Sequence, residues 1–363
     1  MGHRVTILEA GSQIGGRARV FKREGFTFDA GPTVITAPYL LEELYEALGE
    51  RLEDHLELVP VDPFYRVQFD DGTVFDYVGD EDRILEQIAK ISPEDVEGYK
   101  RLAEQSRKIF EIGYQELADA PFNTLAEMLR VVPSMMRLKS YKTVYGMVSD
   151  YIKDERLRQA FTFQPLLVGG SPFRTSSIYL LIHWLERKWG VHFAKGGTTA
   201  VVHGLSDLLK RHGVDIVLNA PVSRIEVEQG AVAAVETEDG RRFPCSLVVS
   251  NADPSVVYTK LIDKAYRWRH TDRSVARRTQ SMSLFVMYFG TNKVYENLKH
   301  HTIVLGPRYK GLLDDIFKKR TLSEDCSLYL HAPCRSDPSL APPGHDSFYV
   351  LSPVPNQLSG IDW

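Results

Sequence analysis

A short apolar strand that ends in a carboxylate opens the chain, and a loop with two adjacent glycines and an arginine follows it. The stretch Arg4–Ala18 places Glu9 at the end of the strand, before Gly15, Gly16 and Arg17. In nucleotide-binding folds such a carboxylate accepts hydrogen bonds from the two ribose hydroxyls. Glycines let the backbone approach a pyrophosphate, and an arginine can pair with its charge. By itself the pattern leaves two interpretations open, a nucleotide site or a solvated glutamate before an ordinary turn.

Composition narrows the class of protein. The 363 residues are enough for two or more cores, and 43% hydrophobic with 25% charged residues is ordinary for a globular protein. A net charge of -4 provides no basic face for nucleic acid, so we expect no nucleic-acid partner. No run approaches the roughly 18 apolar residues of a membrane span, and no signal peptide is visible.

The cysteines predict neither disulfides nor a metal centre. Cys245, Cys326 and Cys334 are too few and too irregularly spaced for a disulfide framework, which favours a reducing cytosol. Cys326 and Cys334 flank His331, but no second close pair completes a zinc site. We therefore predict inert thiols and no metal.

Helical and strand patterns interleave along the chain. We predict these elements: a strand at 4–9, a strand pair at 19–31 turning at 23–25, a helix ended by Gly49, a hairpin with an Asp71-Gly72 turn, a long helical zone from Ser92 to about Leu185 with Ser92 as N-cap, a glycine loop and helix at 195–213, a strand at 214–219, and a three-strand meander at 222–250. Nucleotide-type elements thus occur twice, at 4–31 and 195–252. This arrangement predicts two domains that each use non-contiguous pieces of the chain.

A dinucleotide fold also needs a preceding strand and a G-x-G-x-x-G turn. Only three residues stand before the first strand, and the turn occurs nowhere else. Either the fold is different, or its first βα unit is absent from this chain.

Long blocks of the sequence favour the second alternative, an absent first βα unit, because they resemble those of a known family. They include GHRVTILEA, GGRA, GFTFDAGPTVIT, LLVGGSPFRTSSIYLLIHWLERKWGVHFAKGGT, VVSNADP, HHTIVLGPRYKGL and SLYLHAPCRSDPSLAPPG. From Arg4 to Trp363 the sequence resembles the bacterial-type phytoene desaturases, carotenoid desaturases of the amine-oxidase-like flavoprotein superfamily. The family begins about two dozen residues earlier and continues past Trp363, so the chain resembles an internal fragment.

The resemblance implies an α/β fold with a Rossmann-like FAD-binding domain, whose first βα unit and C-terminal part are missing here, and a discontinuous substrate domain of mixed sheet and helices. The expected boundaries are 1–60 and 191–255 for the FAD-binding parts, 61–92 and 256–363 for the substrate domain, and 93–190 for a helical region facing substrate and membrane.

The resemblance also assigns roles toward FAD. Glu9 would bind the adenosine ribose, and Gly15, Gly16 and Arg17 would lie along the pyrophosphate. The turn that contains Asp29, Ala30 and Gly31 would approach the isoalloxazine ring, Val222 would bond the adenine through its backbone, and Asn251 would lie near the flavin. For Val222 a plain core role is equally open.

The implied reaction is desaturation of phytoene and partially desaturated carotenoids in an apolar tunnel. Hydride would go to the flavin, the proton to a base or water, and the electrons finally to oxygen or a quinone. Two carboxylate–arginine pairs at helical spacing are candidates for acid–base work, Glu127 with Arg130 and Asp154 with Arg158. Solvated surface pairs are the alternative for both.

An oily substrate implies a membrane surface as partner. The stretch Met128–Ser149 contains four of the seven methionines, four basic residues and no acid, which is typical of an interfacial segment. We expect a cytoplasmic protein held peripherally on the inner face of the cell membrane. A helical pair packed on the core is the other interpretation of the segment.

Two further functions stay open from the sequence. One is a related carotenoid flavoprotein, an isomerase or a ketolase, and the other is a lipid-carrying protein of the prenyl-escort fold without redox activity. The number of desaturation steps is not indicated by any residue pattern.

Overall fold

The computed structural model describes residues 2–116 and 124–363, and all structural statements concern these residues. The chain forms two compact units. Unit 1 consists of Met1–Arg19 and Thr199–Gln280, and unit 2 consists of Val20–Thr198 and Ser281–Trp363.

The strands and helices of both units follow in chain order. The strands are β1 (Thr6–Leu8), β2 (Val20–Arg23), β3 (Phe26–Asp29), β4 (Leu58–Pro60), β5 (Tyr65–Gln68), β6 (Val74–Tyr77), β7 (His192–Ala194), β8 (Asp215–Val217), β9 (Val222–Glu228), β10 (Ala231–Thr237), β11 (Arg242–Pro244), β12 (Ser283–Thr291), β13 (His301–Val304), β14 (Leu328–His331) and β15 (Asp346–Val354). The α-helices are α1 (Pro38–Glu46), α2 (Glu81–Ile91), α3 (Val96–Phe110), α4 (Leu125–Arg137), α5 (Val144–Ser149), α6 (Glu155–Ala160), α7 (Gln164–Leu167), α8 (Leu181–Trp189), α9 (Thr198–Arg211), α10 (Pro254–Val256), α11 (Asp272–Ala276) and α12 (Tyr309–Asp314).

Unit 1 is built on a parallel strand pair and an antiparallel meander. β1 pairs with β8, and Ile7 lies opposite Ile216. The meander has the order β11-β10-β9, and it confirms the strands predicted after residue 222. Strands of parallel sheets are usually buried on both faces. β1 departs from this rule, because Thr6 and Ile7 are both exposed, Ile7 by 36%.

Unit 2 is organised around a six-stranded mixed sheet with the order β12-β15-β14-β13-β5-β6. All its neighbours are antiparallel except β13 and β5. Two small antiparallel pairs, β2 with β3 and β4 with β7, accompany this sheet. The core is strongly aromatic, with Tyr65, Phe75, Tyr77, Tyr99 and Phe161 fully buried.

The structure confirms both predicted hairpins, β2–β3 and β5–β6. Their turns depend only on residues next to each other in sequence. Glu24 and Gly25 both have positive φ, 52° and 83°, as the two-residue turn between β2 and β3 requires. In the β5–β6 hairpin Gly72 has a φ of 83°, and the Asp71 carboxylate accepts a hydrogen bond from the Thr73 N–H at 2.8 Å. The helix that follows the glycine loop, α9, is confirmed as well.

The start of the helical zone differs from the prediction. α2 lies before it, and the Asp80 side chain caps this helix by accepting from the Arg83 N–H. Ser92 is the N-cap residue of a 3₁₀ turn at Pro93–Asp95 and proline follows it, as predicted, although the Ser92 side chain makes no capping hydrogen bond. Its backbone N–H instead donates to the Ile88 carbonyl at the end of α2.

The compact units also divide the chain differently from the predicted domain boundaries. Residues 20–60, which we predict with the FAD-binding part, lie in unit 2. The reason is pairing within that unit, since β4 bonds β7 and the Ser347 hydroxyl donates to the Thr27 carbonyl of β3 at 3.0 Å. Residues 256–280 lie in unit 1 rather than with the last segment.

No helix within the described ranges is both long enough and apolar enough to cross a membrane.

Two ionisable side chains of α8 lie in the core of unit 2. The His183 ring contacts the hydroxyl of Tyr77 through Nδ1, and burial, with the nearby Arg187 charge, lowers its pKa to about 3. Glu186 accepts a hydrogen bond from the Tyr65 hydroxyl at 2.8 Å, and burial raises its pKa to about 7. His183 is therefore neutral in the folded protein at neutral pH.

Acidification is expected to destabilise the protein. Burial also lowers the pKa of four other histidines in unit 2 (His192, His300, His301 and His331), so below about pH 6.5 the unfolded chain binds protons that these groups do not bind in the folded protein. Each histidine lowers the free energy of unfolding by up to about 1.4 kcal/mol per pH unit. Glu186 acts in the opposite direction between its unfolded and folded pKa values, but it is one group against five. The urea midpoint should fall from pH 7.5 to pH 5.5 in EDTA, and it should do so equally in a variant of the exposed His203, His203→Gln. A urea midpoint independent of pH would contradict the conclusion that these buried histidines stay neutral in the folded protein.

Candidate functional site

Glu9 is held at the carboxyl end of β1 by its own loop. Its Oε1 accepts a hydrogen bond from the Gly11 N–H at 2.7 Å. Its backbone bonds Val217 and Ala220, with N–H to carbonyl distances of 2.9 Å in both cases. The carboxylate is therefore fixed where the sequence pattern predicts a ribose-binding acid.

The glycine pair after it forms a tight turn with open space beside the backbone. Gly15 has a φ of 111° and Gly16 one of 50°, and no atom lies within 4 Å of a Cβ built on Gly16. The Ala18 N–H donates to the Gly15 carbonyl at 2.7 Å and closes a 3₁₀ turn. Arg17 is exposed on this turn. A fixed carboxylate, an open glycine and an exposed arginine fit the ribose and pyrophosphate of a dinucleotide such as FAD.

Val222 and Asn251 lie in the same unit but are less specific. Val222 begins β9 and is paired with Thr237. Asn251 is exposed in the segment between β11 and α10. Their predicted contacts to the adenine and the flavin stay predictions.

Asp29 ends β3 in unit 2 and is 3% exposed. Its Oδ1 accepts a hydrogen bond from the Thr198 N–H at 2.7 Å. A Cβ built on Gly197 would lie 2.6 Å from the same oxygen, so only glycine allows this approach. Asp29 thereby fixes the glycine loop before α9, and partly buried Ala30 and Gly31 follow it directly.

A buried histidine cluster lies against Asp29, and the sequence interpretation missed it. It consists of His300, His301 and His331, and Oδ2 of Asp29 lies 3.7 Å from Nε2 of His331. His301 and His331 face each other across β13 and β14. The available signals were the adjacent pair at 300–301 and the lone residue at 331, but only strand pairing brings them together.

Hydrogen bonds from the rings extend the cluster into a polar network. Nδ1 of His301 lies 2.6 Å from the Tyr329 hydroxyl, which in turn lies 3.4 Å from Oγ1 of Thr33. Oγ1 of Thr33 also forms a hydrogen bond with the hydroxyl of Tyr349 at 3.0 Å. Burial lowers the pKa of His301, and the neighbouring His331 lowers it further. The three histidine rings are therefore neutral at neutral pH, and each offers a nitrogen lone pair and an N–H group instead of a positive charge.

The predicted acid–base pair, Glu127 with Arg130, lies on α4 of unit 2 and not in the histidine cluster. Glu127 and Arg130 occupy the first turns of α4, where Glu127 is half-buried and Arg130 is exposed. The Glu127 carboxylate accepts the Thr124 N–H at 2.9 Å, and the Thr124 hydroxyl accepts the Glu127 N–H at 3.2 Å. This capping box gives Glu127 a structural role, and its catalytic role stays a prediction.

The second pair is not formed. Asp154 caps α6 by accepting from the backbone of Arg156 and Leu157, and its ionic partner is Arg156 at 3.0 Å rather than Arg158. Arg158 donates to the Ile152 carbonyl at 2.8 Å. The capping preference of aspartate accounts for this arrangement.

Comparison with known proteins decides the family. The model of the family described as flavin containing amine oxidoreductase matches residues 1–356. The chain is 48% identical over 360 residues to the phytoene desaturase (lycopene-forming) of Pantoea ananas, covering 99% of this chain and 73% of that protein. It is 40% identical over 368 residues to the phytoene desaturase (neurosporene-forming) of Rhodobacter capsulatus, covering 100% of this chain and 70% of that protein. The chain belongs to the phytoene desaturase family of flavin containing amine oxidoreductases.

Solved structures agree with this family at the level of the fold. An oxidoreductase from Methanosarcina mazei has a TM-score of 0.65 at 16% identity, covering 98% of this desaturase-family chain and 75% of that chain. A RAB GDI from Plasmodium falciparum has a TM-score of 0.54 at 11% identity, with coverages of 97% and 77%. The predicted α/β fold class is confirmed.

The contact between Asp29 and Gly197 can be tested in this desaturase-family protein by Gly197→Ala. The matched control is Gly72→Ala, because both glycines have a φ of 83° but no atom lies within 4 Å of a Cβ on Gly72. Backbone strain costs about 1–2 kcal/mol in both variants. Only Gly197→Ala also displaces a buried carboxylate, so we expect it to lose at least about 2 kcal/mol more in urea unfolding. Equal losses would show that the Asp29 contact contributes nothing.

Proposed function

We propose that the chain is an FAD-dependent desaturase that converts phytoene towards lycopene-series carotenoids. The observation that carries the proposal is 46–48% identity, over nearly the whole chain, to three proteins named lycopene-forming phytoene desaturases. Such enzymes are oxidoreductases that act on CH–CH groups. Its substrates are then phytoene and the partially desaturated carotenoids made from it.

The geometry of unit 1 supports the proposed cofactor roles. The Glu9 carboxylate, held by the Gly11 N–H, would accept hydrogen bonds from the ribose hydroxyls, and the open backbone at Gly16 would leave room for the pyrophosphate. Arg17 supplies positive charge next to that backbone. Bound FAD supplies the hydride acceptor for a C–H bond that no side chain could oxidise.

In unit 2, Asp29 holds the turn that carries Ala30 and Gly31. Small residues at these two positions suit contact with a flat ring, which is the role that family resemblance gives them. The proton released from substrate passes to a base or water, and oxygen or a quinone takes the electrons.

The substrate dictates a membrane surface as the site of encounter. A hydrocarbon of about forty carbons costs roughly 30 kcal/mol to expose to water, at about 0.8 kcal/mol per methylene, so it does not diffuse through water to the enzyme. We therefore place the protein peripherally on the cytoplasmic face of the cell membrane.

α4 is the proposed docking helix (Leu125–Arg137). Its apolar side chains point to solvent, with Leu125 80%, Leu129 70% and Met136 58% exposed. Arg130 and Arg137 supply positive charge for anionic headgroups. The second half of the predicted interfacial segment does not belong to it, because Met147 on α5 is fully buried in the core.

Activity and cofactor binding are tested together on the purified chain with FAD and phytoene in liposomes. We expect phytoene to be consumed and carotenoids with longer conjugation to appear on chromatography. Glu9→Gln keeps an acceptor for the Gly11 N–H but loses the charge, so FAD affinity should fall about tenfold. Glu228→Gln, at an exposed position at the end of β9, should leave it unchanged.

Other outcomes would overturn the proposal in different ways. A chain that binds FAD and leaves phytoene untouched, but converts conjugated carotenoids, would be an isomerase or ketolase. A chain that binds carotenoid without any flavin would be a lipid carrier.

Membrane docking is tested by flotation with vesicles of phosphatidylcholine and phosphatidylglycerol. Leu125→Glu with Leu129→Glu should weaken binding at least about tenfold, because two leucines lose their apolar contact with lipid and two negative charges are added. The matched control is Leu40→Glu with Leu44→Glu on α1, two leucines with the same spacing and exposures of 44% and 51%. Equal effects of the two double variants would contradict docking through α4.

A further inference from the structure

Each histidine of the cluster has one nitrogen next to an oxygen atom. Nδ1 of His300 lies 2.6 Å from Oγ of Ser336, and Nδ1 of His301 lies 2.6 Å from the Tyr329 hydroxyl. Nε2 of His331 lies 3.7 Å from Oδ2 of Asp29. The Ser336 and Tyr329 oxygens orient the rings of His300 and His301, whereas the Asp29 carboxylate is a charged neighbour of His331 without a hydrogen bond to it.

The opposite nitrogens are buried and have no hydrogen-bond partner among the described residues. They are Nε2 of His300, Nε2 of His301 and Nδ1 of His331, and Nε2 of His331, at 3.7 Å from the Asp29 carboxylate, also makes no hydrogen bond. A buried polar atom without a partner costs about 1–3 kcal/mol, so four of them in one cluster need an explanation. Metal-ligating histidines have this same arrangement, with one nitrogen on the ion and the other on a carboxylate, hydroxyl or carbonyl oxygen.

The spacing of the rings suits one ion. The ring centroids lie 4.4 Å (His300–His301), 4.8 Å (His300–His331) and 5.4 Å (His301–His331) apart. Three imidazoles on one tetrahedral ion, each with a metal–nitrogen bond of about 2.0–2.1 Å, have centroids about 5 Å apart. One nitrogen from each ring lies within 4.8 Å of one from each of the other two rings, and ring rotation must bring the three ligand nitrogens to about 3.3 Å from one another around an ion.

The charge balance also suits a cation. Burial lowers the pKa of all three histidines, and the rings lower one another's further at His300 and His301, so the rings are neutral ligands at neutral pH. Asp29 supplies a buried carboxylate beside His331, which offsets part of the charge of a divalent ion.

We propose that His300, His301 and His331 bind a divalent transition-metal ion of the zinc class. The ion would join the start of β13 to the end of β14, directly beside the Asp29 carboxylate. The proposed role of the ion is structural. Its ligands lie in or directly before two paired strands, so it would hold these strands together, and this role needs no redox step. The site adjoins the turn that we propose to contact the flavin, but its test measures metal content and does not depend on desaturation.

Metal content is the direct measurement. The chain is purified without metal-affinity steps, stripped with EDTA and titrated with Zn²⁺ and with Co²⁺. We expect one equivalent of Zn²⁺ after dialysis, a higher unfolding temperature with Zn²⁺, and visible ligand-field bands of four-coordinate Co²⁺. His301→Gln and His331→Gln should lose the bands, whereas His203→Gln, an exposed histidine of α9, should keep them.

A further variant tests the cluster without removing a ligand. Tyr329→Phe deletes the oxygen on Nδ1 of His301 and should weaken Zn²⁺ affinity about 10- to 100-fold, while circular dichroism reports that the protein is folded. Substoichiometric metal with no Co²⁺ bands in the folded chain would overturn the proposal. Undiminished binding in His301→Gln and His331→Gln would overturn it too, since the ion would then lie elsewhere. Neither result would bear on phytoene conversion.

Discussion

The burial of one carboxylate organises the centre of unit 2. Asp29 has almost no exposure to water, so its oxygens need donors or positive charge from the protein. The Thr198 N–H supplies one hydrogen bond, and it reaches Oδ1 only because Gly197 has no side chain. The other oxygen faces His331. The end of β3 and the glycine loop before α9 are therefore held together by a single side chain, which also lies beside His331 at the end of β14.

Short-range rules predicted the turns and most of the elements, and they failed where partners are distant in sequence. Glu24-Gly25 and Asp71-Gly72 encode their hairpins within two residues, and the structure has both. The position of residues 20–60 depends on strand pairing with residues near 193 and on a hydrogen bond from Ser347, which no local pattern contains. α2 was not predicted from the sequence, although Asp80 is a favourable N-cap residue and caps it in the structure.

The candidate sites divide in the same way. Glu9 and the glycine turn are contiguous in sequence, so their positions could be predicted from the pattern and lie where it indicates. The histidine cluster draws on residues about thirty apart in sequence and on the register that sets His301 opposite His331. The segment Met128–Ser149 was uniform in composition, yet it separates into exposed α4 and buried α5. Composition does not reveal which helix faces the core.

A polar cluster is an unexpected feature for a protein whose proposed substrate is a pure hydrocarbon. Phytoene offers no hydrogen-bond donor or acceptor, so Thr33, Tyr329, Tyr349 and the histidines cannot serve its recognition directly. Their hydroxyl groups satisfy one another, but hydroxyls alone leave the inner ring nitrogens without partners. A cation resolves this imbalance, because it accepts three lone pairs at once and gains from the carboxylate of Asp29. The same residues then link the strand that ends at Asp29 to the main sheet, which gives the turn at Ala30 and Gly31 a rigid base.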